Sequence, residues 1–434
     1  MSPGRPRLPG QPGPILAALL VGLTALAGWL VLGRAQSRAS SDANLWGTVY
    51  LTVGINSDER QDSSQRRLAQ EALGRFTRDF RELQPGVTIQ LMTFPEEGLM
   101  RQLRFRQQGG LGPDLLLVNA RTALELHRRR LLHVERFPAE LLQQIKPDMV
   151  ERVRLSDGRL AGLPVLQLPQ LACFNRERLP AGSPDDLDGL LKLSSRGVRV
   201  GLGTTPPYLI WTVGGLGAVE ALVAAAGSQP LSPPQQQALE RWLAWLQNAS
   251  LQQSITFHDT QDQLTGKLAR GELDWITCRS SNLSLLRQTL GPALGVASLP
   301  GGRWGEATPI NRERVLVFGR NSSAAQRRIA REIASFSVNP LVQRNLTFTD
   351  MMMLPVNRFV PAPVASSTVL AAMVRSAEQS ERTTPLVQGL LTDPRMEKAL
   401  AAVINRVLFG ELTPRQASDI LPVALRDVRQ GPRP

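Results

Sequence analysis

The chain has 434 residues, 42% hydrophobic and 20% charged, which is enough for a large apolar core and long for one domain, so two domains are expected. Its 50 Lys and Arg outnumber 37 Asp and Glu, but four of the excess positive charges fall in the first 39 residues. The rest are scattered apart from "HRRR" at 127–130, which argues against nucleic acid as a partner. Three histidines and two cysteines, none clustered, give zinc little to bind, and no metal or cofactor is expected.

Arg5 and Arg7 precede an uncharged apolar run from Ile15 to Gly33, followed by the polar "RAQSRASSDAN". At about 1.5 Å per residue such a helix nearly spans the bilayer hydrocarbon and exceeds the usual apolar stretch of a signal peptide. Segment 1–44 therefore reads as a signal peptide or an N-terminal membrane anchor with its linker. Gly33 and Ala35, or Ser37 and Ala39, suit a signal peptidase, so both remain open. Either way the chain is expected to be exported from the cytoplasm, free or held at a membrane. Cys173 and Cys278 each lie in an apolar stretch and read as two small buried hydrophobes, a disulfide being the alternative in an oxidising compartment.

From residue 46, "WGTVYLTVGIN" alternates β-branched residues and ends in a turn, which predicts a strand. An Arg-rich helix follows to about Leu83, with Leu68, Ala72, Phe76 and Phe80 at helical spacing. "PGVTIQLMTFP" then reads as a strand, "EEGLMRQLRFRQQG" as a helix and "LGPDLLLVNA" as a strand. This alternation builds a parallel sheet covered by helices, whose ligands sit beyond the carboxyl ends of the strands, near Asn56–Asp58 and Asn119–Thr122. A second alternation follows. It comprises the helix "PDDLDGLLKLSS", the strand "GVRVGLG", one Gly- and Ala-rich buried helix "LIWTVGGLGAVEALVAAAG", the helix "PPQQQALERWLAWLQNAS", and strands in "GELDWITC" and "GPALGVASLP". "RERVLVFG" predicts one more strand before a helical C-terminus reaching about Leu425, and Met351 to Met353 read as core.

Between the two alternations lies "LSDGRLAGLPVLQLPQLACFNRERLP" at 155–180, a strand-like run interrupted by Pro164 and Pro169 with Gln167 and Gln170 set among apolar residues. Proline inside a sheet marks an edge, a bulge or a change of sheet. The segment therefore reads as the first crossover between two lobes, with Pro164 at the exit and "LACFN" opening the second lobe. No G-x-S-x-G, Walker loop, H-E-x-x-H or C-x-x-C occurs, and no enzymatic activity is expected.

The crossover resembles the hinge-crossing segment of the extracellular solute-binding proteins of ABC importers, in particular their sugar-binding, maltose-binding-protein-like group. The match rests on Asp157-Gly158-Arg159, Gly162, Pro164 and Phe174-Asn175. "GPDLLLVNA", "GELDWITC", "LGVASLPGG", "REIASFSVNPLVQRNL" and "VLFGELTPRQASDIL" echo other family segments in the same order. The resemblance implies an α/β periplasmic-binding-protein fold: two α/β domains joined by a multi-strand hinge, with the ligand cleft between them. Residues 45–165 and 310–345 would form the first lobe, 166–309 the second, and 346–434 a C-terminal helical region packed mainly on the second. It further implies a monomer that captures a small polar solute, a sugar or oligosaccharide, and delivers it to a membrane permease coupled to an ATPase.

Carried over residue by residue, the resemblance puts Tyr208 on a ligand-lining position and Trp211 on a supporting one, and Asp58 on an acidic sugar contact. The family's basic neighbour of that acid is Glu59 here. Its Asp-Arg pair after the third strand becomes Ala120-Arg121 or Arg121-Thr122, and its tryptophan after "GELDWITC" gives way to "RSSN" near Ser281. Sugar hydroxyls need convergent polar groups, for which Asn56, Asp58, Asn119, Gln167, Gln170 and Asn282 are candidates, with Arg121, Arg279, Ser281 and Trp304 beside them. Each has a plainer reading: Tyr208 and Trp211 as core, Gln167 and Gln170 as caps for crossover backbone, Arg279 as a rim charge. Two other classes stay open, a membrane-tethered sensory or scaffold protein reusing the two-lobe fold and, further off, a secreted glycosidase.

Overall fold

The structure, a computed structural model, describes residues 45–56, 63–347 and 353–431. The apolar run Ile15–Gly33, the candidate contact Asp58, and Met351 and Met352 lie outside the described residues.

The first three strands are β1 (Gly47–Ile55), β2 (Val87–Pro95) and β3 (Leu115–Asn119), separated by the helices Ser63–Leu83 and Glu96–Gln108. β1 lies between β2 and β3 and runs parallel to both. Its alternation buries Val49 and Leu51, which join Phe80, Leu115, Ile329 and Ile333 in the core of the first lobe. After β4 (Leu132–His133) come β5 (Leu163–Leu168) and β6 (Gln170–Asn175), separated by Pro169 alone. β7 (Val200–Gly203), β8 (Ile255–His258), β9 (Trp275–Arg279) and β10 (Leu294–Ala297) follow, and then β11 (Arg312–Gly319) and β12 (Leu354–Pro355).

These strands make two sheets, one ordered β12-β5-β11-β3-β1-β2 with β4 beside β11, the other β10-β6-β9-β7-β8. The first is not the purely parallel sheet that its opening strand–helix alternation predicts. β11 enters between β3 and β5 antiparallel to both, because it returns from the second lobe and so runs back from the cleft edge. β8 carries the short "ITFH", too brief to stand out as a pattern, and is held by parallel pairing to β7.

The crossover is at Pro169, not at Pro164. β5 stays in the first sheet through Leu168, and Pro164 is accommodated beside a register shift against β11 between Arg314 and Val315, so its missing N–H sits at a bulge. Gly162 is required by close approach: a Cβ there would lie 2.5 Å from the Leu316 carbonyl oxygen. The Gly- and Ala-rich helix is likewise two pieces, Trp211–Gly215 and Val219–Ala225, divided at Gly217, whose φ of 65° ends the first.

The two cysteines are a disulfide. Cys173 on β6 and Cys278 on β9 sit diagonally on neighbouring antiparallel strands, Cα atoms 5.8 Å apart. Reading them as separate buried thiols missed this, because the adjacency of strands 105 residues apart in sequence is a tertiary fact.

Trp211, Trp242 and Trp275 are fully buried in the second lobe's core, which also takes Leu400 and Ile404 from the helix Pro394–Leu408 and Leu421 and Leu425 from the helix Pro414–Gln430. The helix Thr368–Thr392 runs along the junction of the lobes, Met373 in a satellite core under β6 and β9 and Leu390 in the second lobe's main core.

Candidate functional site

Because β1 and β3 are parallel while β11 is antiparallel, the last residues of the first two and the first residues of the third meet at one edge of the first lobe. Arg314, 5% exposed, ties that edge together. Its guanidinium donates to the carbonyls of Gly54 (2.6 Å) and Leu117 (3.0 Å), to Asn119 Oδ1 (3.1 Å) and to Glu96 Oε2 (3.2 Å). Glu96 Oε1 accepts the Asn119 backbone N–H at 2.9 Å, and Asn119 Nδ2 donates to Asn56 Oδ1 at 2.6 Å. Two neutral amides are thereby fixed over a buried ion pair, each charge neutralised by its partner.

The second lobe contributes Tyr208, on the short helix Pro206–Leu209 that follows β7, and Arg279, the last residue of β9. The Arg279 guanidinium lies 5.6 Å from the Tyr208 ring centroid and donates to the Ile310 carbonyl at 3.0 Å. Arg279 is 3% exposed, so it is a built element of the wall and not a solvated rim charge.

Between the lobes three chain segments are stapled at one point. Gln170 Oε1 accepts the Ile310 N–H (2.9 Å), the Gln170 N–H donates to Asn311 Oδ1 (2.8 Å), and the Ser376 hydroxyl donates to the Gln170 carbonyl (2.7 Å). Gln170 thus holds crossover backbone. Nearby, Arg152 pairs with Glu313 in full burial and reaches Ser380 of the long helix at 3.2 Å. Burial pushes the Glu313 carboxyl above its ordinary range, against the pull of the Arg152 charge.

These elements enclose a cleft of about 480 Å³, whose lining includes Asn56, Asn119 and Arg121 from the first lobe, Tyr208 and Arg279 from the second, and Glu397 from the helix Pro394–Leu408. Arg121 and Glu397 form an ion pair across it. Among the described lining residues Tyr208 is the one aromatic ring.

The remaining candidates stand elsewhere. Trp211 is wholly buried beside Trp275, ring centroids 6.2 Å apart, because its helix turns it into the second lobe's core. Asn282 accepts the Arg279 N–H at 3.1 Å and caps the turn after β9, and Ser281 in that turn is outside the cleft lining. Trp304 packs on Arg241, the guanidinium 4.2 Å from its ring centroid, against Gly217. Gln167 is 1% exposed inside the first sheet, opposite Glu313. Glu96, Arg314, Arg152, Glu313 and Glu397 were not singled out from the sequence. The "RER" opening β11 is the one local signal, three charges at the head of an otherwise apolar strand.

No protein-family model matches the sequence, and no curated protein matches it. Solved structures do. The GacH receptor of Streptomyces glaucescens, determined unliganded and with acarbose, is 14% identical with a TM-score of 0.68, over 90% of this chain and 100% of that one. The chain has the two-lobed fold of the solute-binding proteins. A cyclo/maltodextrin-binding protein complexed with maltotetraose is 15% identical (TM-score 0.66, 89% and 98% covered). The maltose/maltodextrin-binding domain MalE of Bdellovibrio bacteriovorus, bound to maltotriose, is 15% identical (0.63, 89% and 100%). At such identities the likeness is one of fold, and in this two-lobed fold the cleft described above lies between the lobes.

Proposed function

We propose that the protein is the solute-binding receptor of an importer, taking a small polar solute, a sugar or oligosaccharide, into the interlobe cleft and presenting it to a membrane permease. The observation that carries this reading is the cleft itself: fixed amides of Asn56 and Asn119 on one wall face the ring of Tyr208 and the guanidinium of Arg279 on the other. Amides supply both donors and acceptors to hydroxyls, and an aromatic face packs on the C–H face of a sugar ring. Binding would then draw the lobes together about the staple at Gln170, Ile310 and Ser376. Structures similar to it were determined with acarbose, maltotetraose and maltotriose, which favours carbohydrate. Cys173–Cys278 fits a protein kept outside the reducing cytoplasm.

A second reading has its own support. Among the described lining residues the cleft has a single aromatic ring, and Arg121–Glu397 and Arg152–Glu313 pair charges in its wall, with Arg314–Glu96 behind it. That arrangement suits a membrane-tethered sensory or scaffold protein in which the two-lobe frame no longer takes a solute. Native mass spectrometry of gently purified protein, followed by thermal melts with the solute found, separates the two. A receptor carries a small molecule that raises its melting temperature and shifts its tryptophan fluorescence. A protein that neither carries nor responds to any solute, and that co-purifies with a protein partner, rejects the receptor reading.

A further inference from the structure

β1, β2 and β3 are parallel, so all three begin at the end of the first lobe opposite the cleft. The chain enters β1 through Leu45-Trp46, β2 through Gln84–Gly86 and β3 through Gly109–Pro113. With β1 between the other two, these entries lie side by side, and the Gly47 N–H donates to the Gly86 carbonyl at 3.0 Å. β11 leaves the sheet at the same end, where Arg320 donates to the Arg130 carbonyl (3.1 Å) and Asn321 to that of Leu111 (3.1 Å). Large apolar side chains stand out here: Trp46 is 83% exposed, Leu111 68% and Leu83 64%. Arg81, Arg130 and Arg320 are exposed at this end; of the nearby acids Asp79 and Glu82 are exposed, while Asp114 is buried and accepts the Tyr50 N–H.

Charge is distributed to match. Segment 166–309 carries 11 basic and 11 acidic residues, whereas 45–165 with 310–345 carries 25 and 17. In sequence the same end follows directly on the uncharged Ile15–Gly33 and the 11 residues after it, a stretch that reaches at most about 40 Å when extended. A tryptophan, two leucines and three arginines are the side chains that partition into a headgroup layer: indole prefers the interface, and guanidinium pairs with phosphate.

We propose that this end of the first lobe docks on an anionic lipid surface, with Trp46, Leu83 and Leu111 entering the headgroup layer and Arg81, Arg130 and Arg320 meeting lipid phosphates. The cleft lies at the opposite end of the strands, so this docked state is separate from any in which the cleft meets a permease. This surface is independent of the solute reading above, since no cleft residue belongs to it.

The test uses the full chain with Leu111→Cys carrying an environment-sensitive fluorophore, and for comparison Leu251→Cys, a site 78% exposed on the second lobe. The native cysteines are joined to each other, so the new thiol alone is labelled. Each protein is placed with vesicles of phosphatidylcholine alone or mixed with phosphatidylglycerol, containing a nitroxide-labelled lipid as quencher. Quenching at position 111 should exceed that at 251 several-fold in the anionic vesicles, and fall at least tenfold in lipid affinity with Arg81→Glu, Arg130→Glu and Arg320→Glu together. Equal quenching at both positions overturns the proposal. So does quenching at 111 indifferent to lipid charge and to the three substitutions, or shielding of position 111 that appears only when a protein partner is added.

Discussion

Arg121, on the helix that follows β3, pairs with Glu397, on a C-terminal helix packed into the second lobe's core, so one ion pair spans the cleft. The two side chains are 40% and 19% exposed, and a pair in that setting contributes at most about 1 kcal/mol to folding. Its effect is on opening. Arg121→Ala should leave the melting temperature nearly unchanged while increasing the radius of gyration in solution scattering, and an unaltered scattering curve would show that the pair does not hold the lobes together.

Arg314 should behave oppositely. Removing it leaves the buried Glu96 carboxyl without its ion-pair partner and releases the ends of β1 and β3, so Arg314→Met is expected to cost about 3–5 kcal/mol in denaturant unfolding. A loss below about 1 kcal/mol on that scale means the network is not what fixes Asn56 and Asn119.

Tyr208 and Trp211 should separate cleanly. Tyr208→Ala removes a cleft wall and should weaken binding of the identified solute with little effect on stability. Trp211→Ala opens a hole in the second lobe's core and should cost about 3–5 kcal/mol. Calorimetric titration and thermal melts of both variants check this, and equal destabilisation by the two would return Tyr208 to the core.

Reducing Cys173–Cys278 frees a loop closed over a separation of 105 residues, which by chain entropy destabilises the fold by about 2–5 kcal/mol. Melts with and without reductant measure it, the Cys173→Ala, Cys278→Ala double variant serving as the control that reductant should not affect.

Asp274 gives an acid limb. Burial raises its carboxyl, but hydrogen bonds from the Arg199 guanidinium and backbone N–H outweigh burial and leave it below the ordinary range. A depressed folded value means the unfolded chain binds the proton more readily. The stabilisation is therefore present above the unfolded carboxylate value and is lost as pH falls through the folded one. Asp274→Asn should flatten the fall in melting temperature between neutral pH and about pH 3; an acid limb as steep as the parent's would assign it to other carboxylates.

Local pattern made most of the fold legible in the sequence. Alternation in "TVYLTV" and "TIQLMT" and helical spacing at Ala72, Phe76 and Phe80 each specify an element within one window, because the pleat and the helix repeat over a few residues. The crossover was visible through its prolines and glutamines, though its position was not: whether Pro164 or Pro169 leaves the sheet depends on a bulge opposite β11, a strand some 145 residues on. Of the cleft residues, Asn56, Asn119 and Arg121 sit at strand ends or just after them, where an α/β sheet exposes its ligand edge, so order along the chain was enough to nominate them, whereas Tyr208 was nominated by the family resemblance in "TPPYLIW". The resemblance equally nominated Trp211 and Ser281, which stand outside the cleft, because the sequence does not record which way a helix or turn faces.

The sequence by itself determined most of the elements, their order and the two-lobe frame, since these follow from periodicity and turn chemistry; the short β8 and the break at Gly217 did not show in it. Only the tertiary structure decided the charge pairs that build the cleft, the disulfide, and the end of the first lobe where Trp46, Leu83 and Leu111 collect. Those depend on which strands become neighbours. Glu96 and Arg314 are 218 residues apart, and nothing but the antiparallel entry of β11 beside β3 brings them within 3.2 Å.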